Sequence, residues 1–410
     1  MPVPRPAPEV VDQISEIVRT EHGRGVATLI RRFGDIDLAE DAAADALVTA
    51  LERWPDDGFP PNPGAWLTRT AGNKAIDRIR RENKRDAKYA EAAMMNDAQQ
   101  PDGPPPDDGP VTDDRLRLIF TCCHPALAPE NRVALTLRLL GGLTVAEIAR
   151  AFLVPETTMA QRITRSKQKI RDANIPYRVP RAEDLPSRLG GVLAVLYLIF
   201  NEGYLASEGT GLRVDLSTEA IRLTRQLAAL VDEPEVLGLL ALMLLTEARR
   251  EARVAEGVLV TLDAQDRSTW DAALIDEGHR LVRRCLAENR PGPYQLQAAI
   301  NAVHTDALDA SMTDWSQVVQ LYDQLLAVQP SPIVELNRAV AVAELDGPEV
   351  SLSIVERLDL ASYHPWHVAR AELLRRLHRD DEARDAYDRA LALTANEAER
   401  AHLSRRRDSL

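Results

Sequence analysis

The segment QQPDGPPPDDGPVTDD, Gln99 to Asp114, constrains this chain more than any other. Its prolines forbid a continuous helix and it holds almost nothing apolar to bury, so it reads as an extended acidic linker over 96–112. Separate folded units must then lie on either side. A second break, NIPYRVPRAEDLPSR around Pro176 to Pro186, makes another linker of 177–187. The 410 residues thereby divide into 1–95, 113–176 and 188–410. In all three, apolar positions recur at helical spacing and strand-like alternation is rare, so the predicted fold class is all-α.

Three cysteines, Cys122, Cys123 and Cys285, have no paired spacing. That argues against a secreted disulfide framework and for a reducing cytoplasm. The run Cys122, Cys123, His124 meets Pro125 and no fourth ligand, so buried packing is expected, with no metal and no cofactor. The opening MPVPRPAPEVV carries no apolar signal region. The longest apolar runs, Val192 to Phe200 and Val236 to Leu245, are shorter than the roughly 20 residues that cross a bilayer. No membrane partner is expected. A net charge of -13 would disfavour nucleic acid if it were evenly spread, yet acids and bases nearly balance through Pro180 and the excess of acid follows it. Every lysine (Lys74, Lys84, Lys88, Lys167, Lys169) stands in one of two short arginine-rich stretches, each a local phosphate-binding surface.

One of these stretches is LTVAEIARAFLVPETTMAQRITRSKQKIRDA, Leu143 to Ala173. Thr144 with Glu147 three residues on forms a capping box, and Val145, Ile148, Ala149 and Phe152 give the first helix a buried stripe. Pro155 forces a break. A second helix from about Glu156 places Met159, Ile163 and Ile170 on one face and Thr158, Gln161, Arg162, Arg165 and Lys169 on the other. Such a helix-turn-helix fits the DNA major groove, where Arg and Gln bond base edges while Lys and Thr hold phosphates. A solvated amphipathic helix is the plainer alternative.

The other stretch, GAWLTRTAGNKAIDRIRRENKRDAK, Gly64 to Lys88, is a second cationic helix. Trp66 near its start, after the loop PDDGFPPNP, is either core or a stacking platform for unpaired bases. Upstream, DIDLAEDAAADALVTALERW puts acids on one side and Leu38, Ala42, Leu47 and Leu51 on another, which suits a solvated face or a protein-docking helix equally. Near the end of the chain, Leu336 to Leu358 aligns with the segment from Val368 at an offset of about 32 residues, close to the tetratricopeptide period of about 34. Stacked helix pairs of that kind leave a concave surface. Plain helical packing is the alternative.

The succession AEDAAADAL, ALERWP, GAWLTRTAGNKAIDRIRR, linker, LTVAEIARAFLVPETTMAQRITRSKQKI resembles the extracytoplasmic-function sigma factors of the sigma-70 class over about Val10 to Ala173. The tail resembles the subgroup with a long tetratricopeptide-like extension. The resemblance implies sigma-70 region 2 in 1–95 and the region 4 helix-turn-helix in 113–176. It also implies two partners: core RNA polymerase, through its clamp coiled coil and flap, and promoter DNA. By that carry-over Glu40, Asp41, Asp45, Leu47 and Val48 meet polymerase. The loop Asp57 to Gly64 traps a flipped base. Trp66, Asn73, Lys74, Asp77, Arg78 and Arg81 contact and open the -10 element. Gln161, Thr164 and Arg165 read the -35 element, with Thr158 in the same set and Arg162 and Lys169 on phosphates. The linker acids Asp102, Asp107, Asp108, Asp113 and Asp114 would thread toward the RNA exit path, imitating RNA.

Two positions depart from the family pattern. Leu153 stands where the turn usually has glycine, and Ala160 replaces a residue that often contacts DNA. No nucleophile and base constellation stands out, so the chain is not expected to be an enzyme. The expected function is promoter recognition and melting with core polymerase, the tail regulating or supporting it by binding a protein or ligand. The alternative is a polymerase-independent helix-turn-helix regulator with a sensing tail.

Overall fold

The computed structural model describes residues 8–92, 114–152, 154–181, 183–205, 211–394 and 396–410. Asp102, Asp107, Asp108, Asp113 and Leu153 lie outside the described residues, as do the side chains of Lys84, Arg85 and Lys88. The fold is all-α, relieved among the described residues by a hairpin of two-residue strands. Two compact units divide the chain, Met1–Leu198 and Ile199–Leu410. The division falls at Leu198, inside a helix that begins at Leu185, within the break read around Pro176 to Pro186.

In the first unit, α1 (Pro8–Phe33), α2 (Ile36–Asp57) and α3 (Pro63–Ala92) pack together as a bundle. Gly34, at φ 71°, makes the first turn, and the Asp35 carboxylate caps α2 by accepting from the Leu38 amide at 3.0 Å. Along α2 the buried positions are Ala39, Glu40, Ala42, Ala46, Ala50 and Trp54, and the four alanines among them let neighbouring helices approach closely. The chain continues through α4 (Asp114–Cys122), α5 (Pro129–Leu139), α6 (Val145–Ala151), α7 (Glu156–Asp172) and α8 (Leu185–Leu205). Leu118, Ile119, Phe120, Leu135, Leu137 and Leu139 are almost wholly buried, each such side chain stabilising by about 1.5–3 kcal/mol.

Two glycines set how near α1 comes to the end of α5. A Cβ on Gly23 would lie 2.7 Å from the Leu140 carbonyl oxygen, and one on Gly142, at φ +70°, would lie 3.1 Å from the His22 ring. Cys122 and Cys123 are buried, with the Cys123 Sγ 3.7 Å from Thr136 Oγ1. Burial pushes the Cys123 thiol up to about 11, which keeps it protonated and unreactive.

The second unit contains α9 (Gly211–Leu230), α10 (Pro234–Glu247), the strands β1 (Val254–Ala255) and β2 (Val258–Leu259), α11 (Ala272–Glu288), α12 (Pro293–Asp306), α13 (Trp315–Val328), α14 (Pro332–Leu345), α15 (Pro348–Val355), α16 (His364–Arg376), α17 (Asp380–Leu393) and α18 (Glu397–Asp408). The apolar run in α10 is buried on every side among α9, α11 and α12. No described helix is long and apolar enough to cross a membrane. From α13 onward each helix packs on the next in chain order. Two of the aligned pairs take equivalent places: Ala339 and Ala371 are fully buried, and Arg338 pairs with Asp323 at 2.6 Å as Arg370 does with Glu356 at 3.3 Å; Leu345 is exposed where Leu377 is half-buried. The hairpin turns at Glu256 and Gly257, both at positive φ.

Candidate nucleic-acid interface

The turn between α6 and α7 is built by local chemistry. Thr144 and Glu147 exchange hydrogen bonds, the Thr144 amide donating to Glu147 Oε2 at 2.7 Å and the Glu147 amide to Thr144 Oγ1 at 3.2 Å. Pro155 precedes α7 as its N-cap. Met159, Ile163, Ser166 and Ile170 face inward. Gln161, Thr164, Arg165, Gln168 and Lys169 are exposed at spacings of three and four, one continuous polar stripe, with Thr158 and Arg162 half-buried beside it.

On α3 the exposed set is Asn73, Asp77, Arg80 and Arg81, with Lys74 and Arg78 half-buried at its edge. Arg81 Nε reaches back to the Asp77 carbonyl at 3.3 Å, and Arg78 forms an ion pair with Asp41 of α2 at 2.5 Å. Trp66 is half-buried and meets Trp54 edge-on at 5.3 Å between ring centroids. Phe59, in the loop before α3, also lies against Trp54, at 5.5 Å. Asn62 caps the start of α3 by accepting from the Ala65 amide at 3.0 Å. Three aromatic rings thus stand together where the loop meets the cationic helix.

The α2 residues do not share one environment. Asp41, Asp45 and Val48 are exposed, Val48 to 53%, and Leu47 is half-buried. Glu40 is only 5% exposed: Arg138 of α5 donates to it at 2.6 Å, and Lys167 of α7 pairs with its other oxygen. Lys167 also donates to Asp37 at 2.8 Å, and Arg171 to the second Asp37 oxygen at 2.8 Å. Burial alone would raise the Asp37 carboxyl and lower the Lys167 ammonium, but the opposing charges prevail and hold both in their ionised forms. Beneath this knot, burial first and the Arg138 charge second push His22 down to about 4, leaving it neutral.

Comparison with known proteins completes the picture. Residues 17–85 match sigma-70 region 2 and residues 117–170 match sigma-70 region 4, while 188–286 match a family of unknown function (DUF6596). The ECF RNA polymerase sigma factor SigW of Bacillus subtilis (strain 168) is 30% identical over 169 residues, 39% of this chain and 88% of that protein. The chain belongs to the ECF sigma factors of the sigma-70 class. This sigma factor is also 43% identical over 394 residues to an uncharacterized protein of Rhizobium meliloti (strain 1021), 94% of this chain and 93% of that one. No solved structure matches it.

Within the sigma-70 regions, sequence reasoning overlooked Phe59, Lys167, Arg171 and His22. Lys167 sits four residues after Ile163 and three before Ile170, an inward-edge spacing that distinguishes it from Lys169. Phe59 was hidden among the prolines of its loop. The candidate sets overlap at one place, the Arg78–Asp41 pair, which ties the expected DNA face of α3 to the expected polymerase face of α2.

Proposed function

We propose that this sigma factor joins core RNA polymerase, directs it to a -35/-10 promoter and assists melting of the -10 element. The carrying observation is the exposed stripe of Gln161, Thr164, Arg165 and Lys169 on α7, on the same chain as the exposed Asn73, Asp77 and Arg81 of α3 beside Trp66. The α7 stripe would enter the major groove as duplex reader, with Thr158 and Arg162 at its edge and Lys169 on phosphate. The α3 set, Trp66, Asn73, Lys74, Asp77, Arg78 and Arg81, would hold the separated strand, because cations track its backbone and aromatic rings replace lost base stacking. Capture of the unstacked bases offsets the cost of opening, so no hydrolysis is needed.

Polymerase would dock on the outer face of α2, where Asp41, Asp45, Leu47 and Val48 combine charge with an exposed apolar residue; Glu40 joins them once Arg138 and Lys167 release it. The helical extension would regulate or support initiation. The test is transcription in vitro from selected promoter DNA with purified core polymerase, comparing the intact chain with Val48→Asp and Arg165→Ala variants. Initiation at defined start sites that falls in both variants supports this function. Specific DNA binding that is indifferent to polymerase would favour a stand-alone regulator instead.

A further inference from the structure

We infer that the second unit holds a recessed binding site for a small oxyanion-bearing molecule, a phosphate or carboxylate compound, centred on Arg249, Arg253 and Arg267. Arg249 follows α10, and its Nη2 donates to Asn301 Oδ1 on α12 at 2.7 Å, while its Nε is closed off from solvent and meets no acceptor among the described residues. Arg267 donates through Nη1 to the carbonyls of His304 at 2.7 Å and Ala307 at 2.5 Å, and its Nη2 is buried without an acceptor. Its guanidinium lies 4.7 Å from the centre of the Trp270 ring, whose Nε1 is a third buried donor without a partner. The Asp271 amide donates to the Ala248 carbonyl at 2.9 Å, which holds Trp270 next to Arg249. Arg253 stacks 4.3 Å from the Tyr204 ring centre and donates to the Tyr204 carbonyl at 3.2 Å.

The charges are as unbalanced as the hydrogen bonds. Burial and the like charges of Arg253 and Arg267 both disfavour the Arg249 cation, and Arg267 has Asp309, an exposed carboxylate, as its attractive neighbour. Arg250, on the same turn, is satisfied by Glu247 at 2.6 Å and so does not enter the set. His304, between Arg249 and Arg267, is kept neutral by burial and by both their charges. Gathering like charges where water is scarce is costly unless a counter-charge completes the site. Hydrogen bonding to the His304 and Ala307 carbonyls explains why Arg267 sits there, but leaves the idle donors Arg249 Nε, Arg267 Nη2 and Trp270 Nε1 unaccounted for. An oxyanion would satisfy all three kinds of deficit at once: donors, charge, and a polar group beside aromatic walls. The donors are too recessed for a duplex backbone. Tyr204 and Arg253 are half-exposed and would form the side from which a small ligand enters.

The experiment is thermal unfolding of the full chain titrated with sodium phosphate or sodium citrate, against sodium chloride at equal ionic strength, for the wild type and for R249M and R267M. The expected result is a saturable rise in Tm of the wild type with at least one of the two anions, the responding anion naming the class. In both variants the apparent affinity falls by about tenfold to a hundredfold, as loss of a charged hydrogen bond implies. Without anion, R249M should melt no lower than the wild type, because it removes an uncompensated charge. Should either variant fail to fold, R253Q, at the open side, takes its place. No saturable rise with either anion, or a rise retained undiminished by the variants, overturns the site.

Discussion

Arg165 and Lys169 lie four residues apart on the exposed stripe of α7, yet they would hold DNA by different physics. A guanidinium can bond a base edge in two places, so Arg165→Ala is expected to weaken discrimination at one -35 position by about 1–3 kcal/mol. An ammonium on phosphate is indifferent to sequence, so Lys169→Ala should lower affinity on all promoters alike and reduce the salt slope by about one. Binding of the polymerase complex to a panel of single-base promoter variants checks both; a uniform loss for Arg165→Ala would refute the division. His22 makes a prediction in pH. Its pKa is about 4 in the fold against 6.5 for the ordinary side chain, so the unfolded chain takes up a proton first as pH falls. Its contribution is complete above about pH 6.5 and is lost between there and about pH 4, so at pH 5 about 2 kcal/mol has gone. Urea unfolding of the first unit should therefore lose that much less between pH 7 and pH 5 in His22→Gln than in the wild type; equal losses would assign the acid sensitivity elsewhere. The α7 stripe was legible in the sequence because a period of 3.6 separates Gln161 and Arg165 from Ile163. The burial of Glu40 was not, because its partners Arg138 and Lys167 are distant in sequence and only the tertiary fold delivers them.

At the scale of elements, caps and close approaches decide which helices form where. Thr144→Ala removes one half of the reciprocal cap on α6, a helix too short to persist without it, and should cost about 1 kcal/mol. Gly23→Ala forces a methyl group against the Leu140 backbone and should cost about 1–3 kcal/mol. Differential scanning calorimetry of the two variants checks these values, and an unshifted Gly23→Ala transition would show that α1 can withdraw from α5. Proline and capping residues announced the boundaries of α6 and α7 because they act on their own few neighbours. The hairpin at Val254–Leu259 escaped notice for a physical reason: strands of two residues are too short to alternate, and Glu256-Gly257 was the one cue. Nor did α10 declare its surroundings, since a helix apolar on all sides carries no directional signal.

At the scale of the whole molecule, two features of the chain are written locally: the proline-rich divisions and the order of region 2 before region 4. The contact between α2 and α7 is not, because it joins residues more than a hundred positions apart through charges that any surface might display. That contact has a consequence for how DNA is felt. Lys167 and Arg171 already have their anions inside the protein, so they are less free to neutralise phosphates and release the counterions condensed on a promoter, and the cation tally of α7 overstates its ionic grip. Asp37→Ala, by freeing Arg171 while Lys167 keeps its pairing with Glu40, should steepen the logarithmic dependence of promoter affinity on salt by up to about one; an unchanged slope would mean that Arg171 does not reach phosphate. If both faces are used as proposed, the same tether would link occupancy of one to the other. Whatever claimed Glu40 would leave Lys167 held by Asp37 alone, and by thermodynamic reciprocity DNA that drew Lys167 away would leave Glu40 held by Arg138 alone.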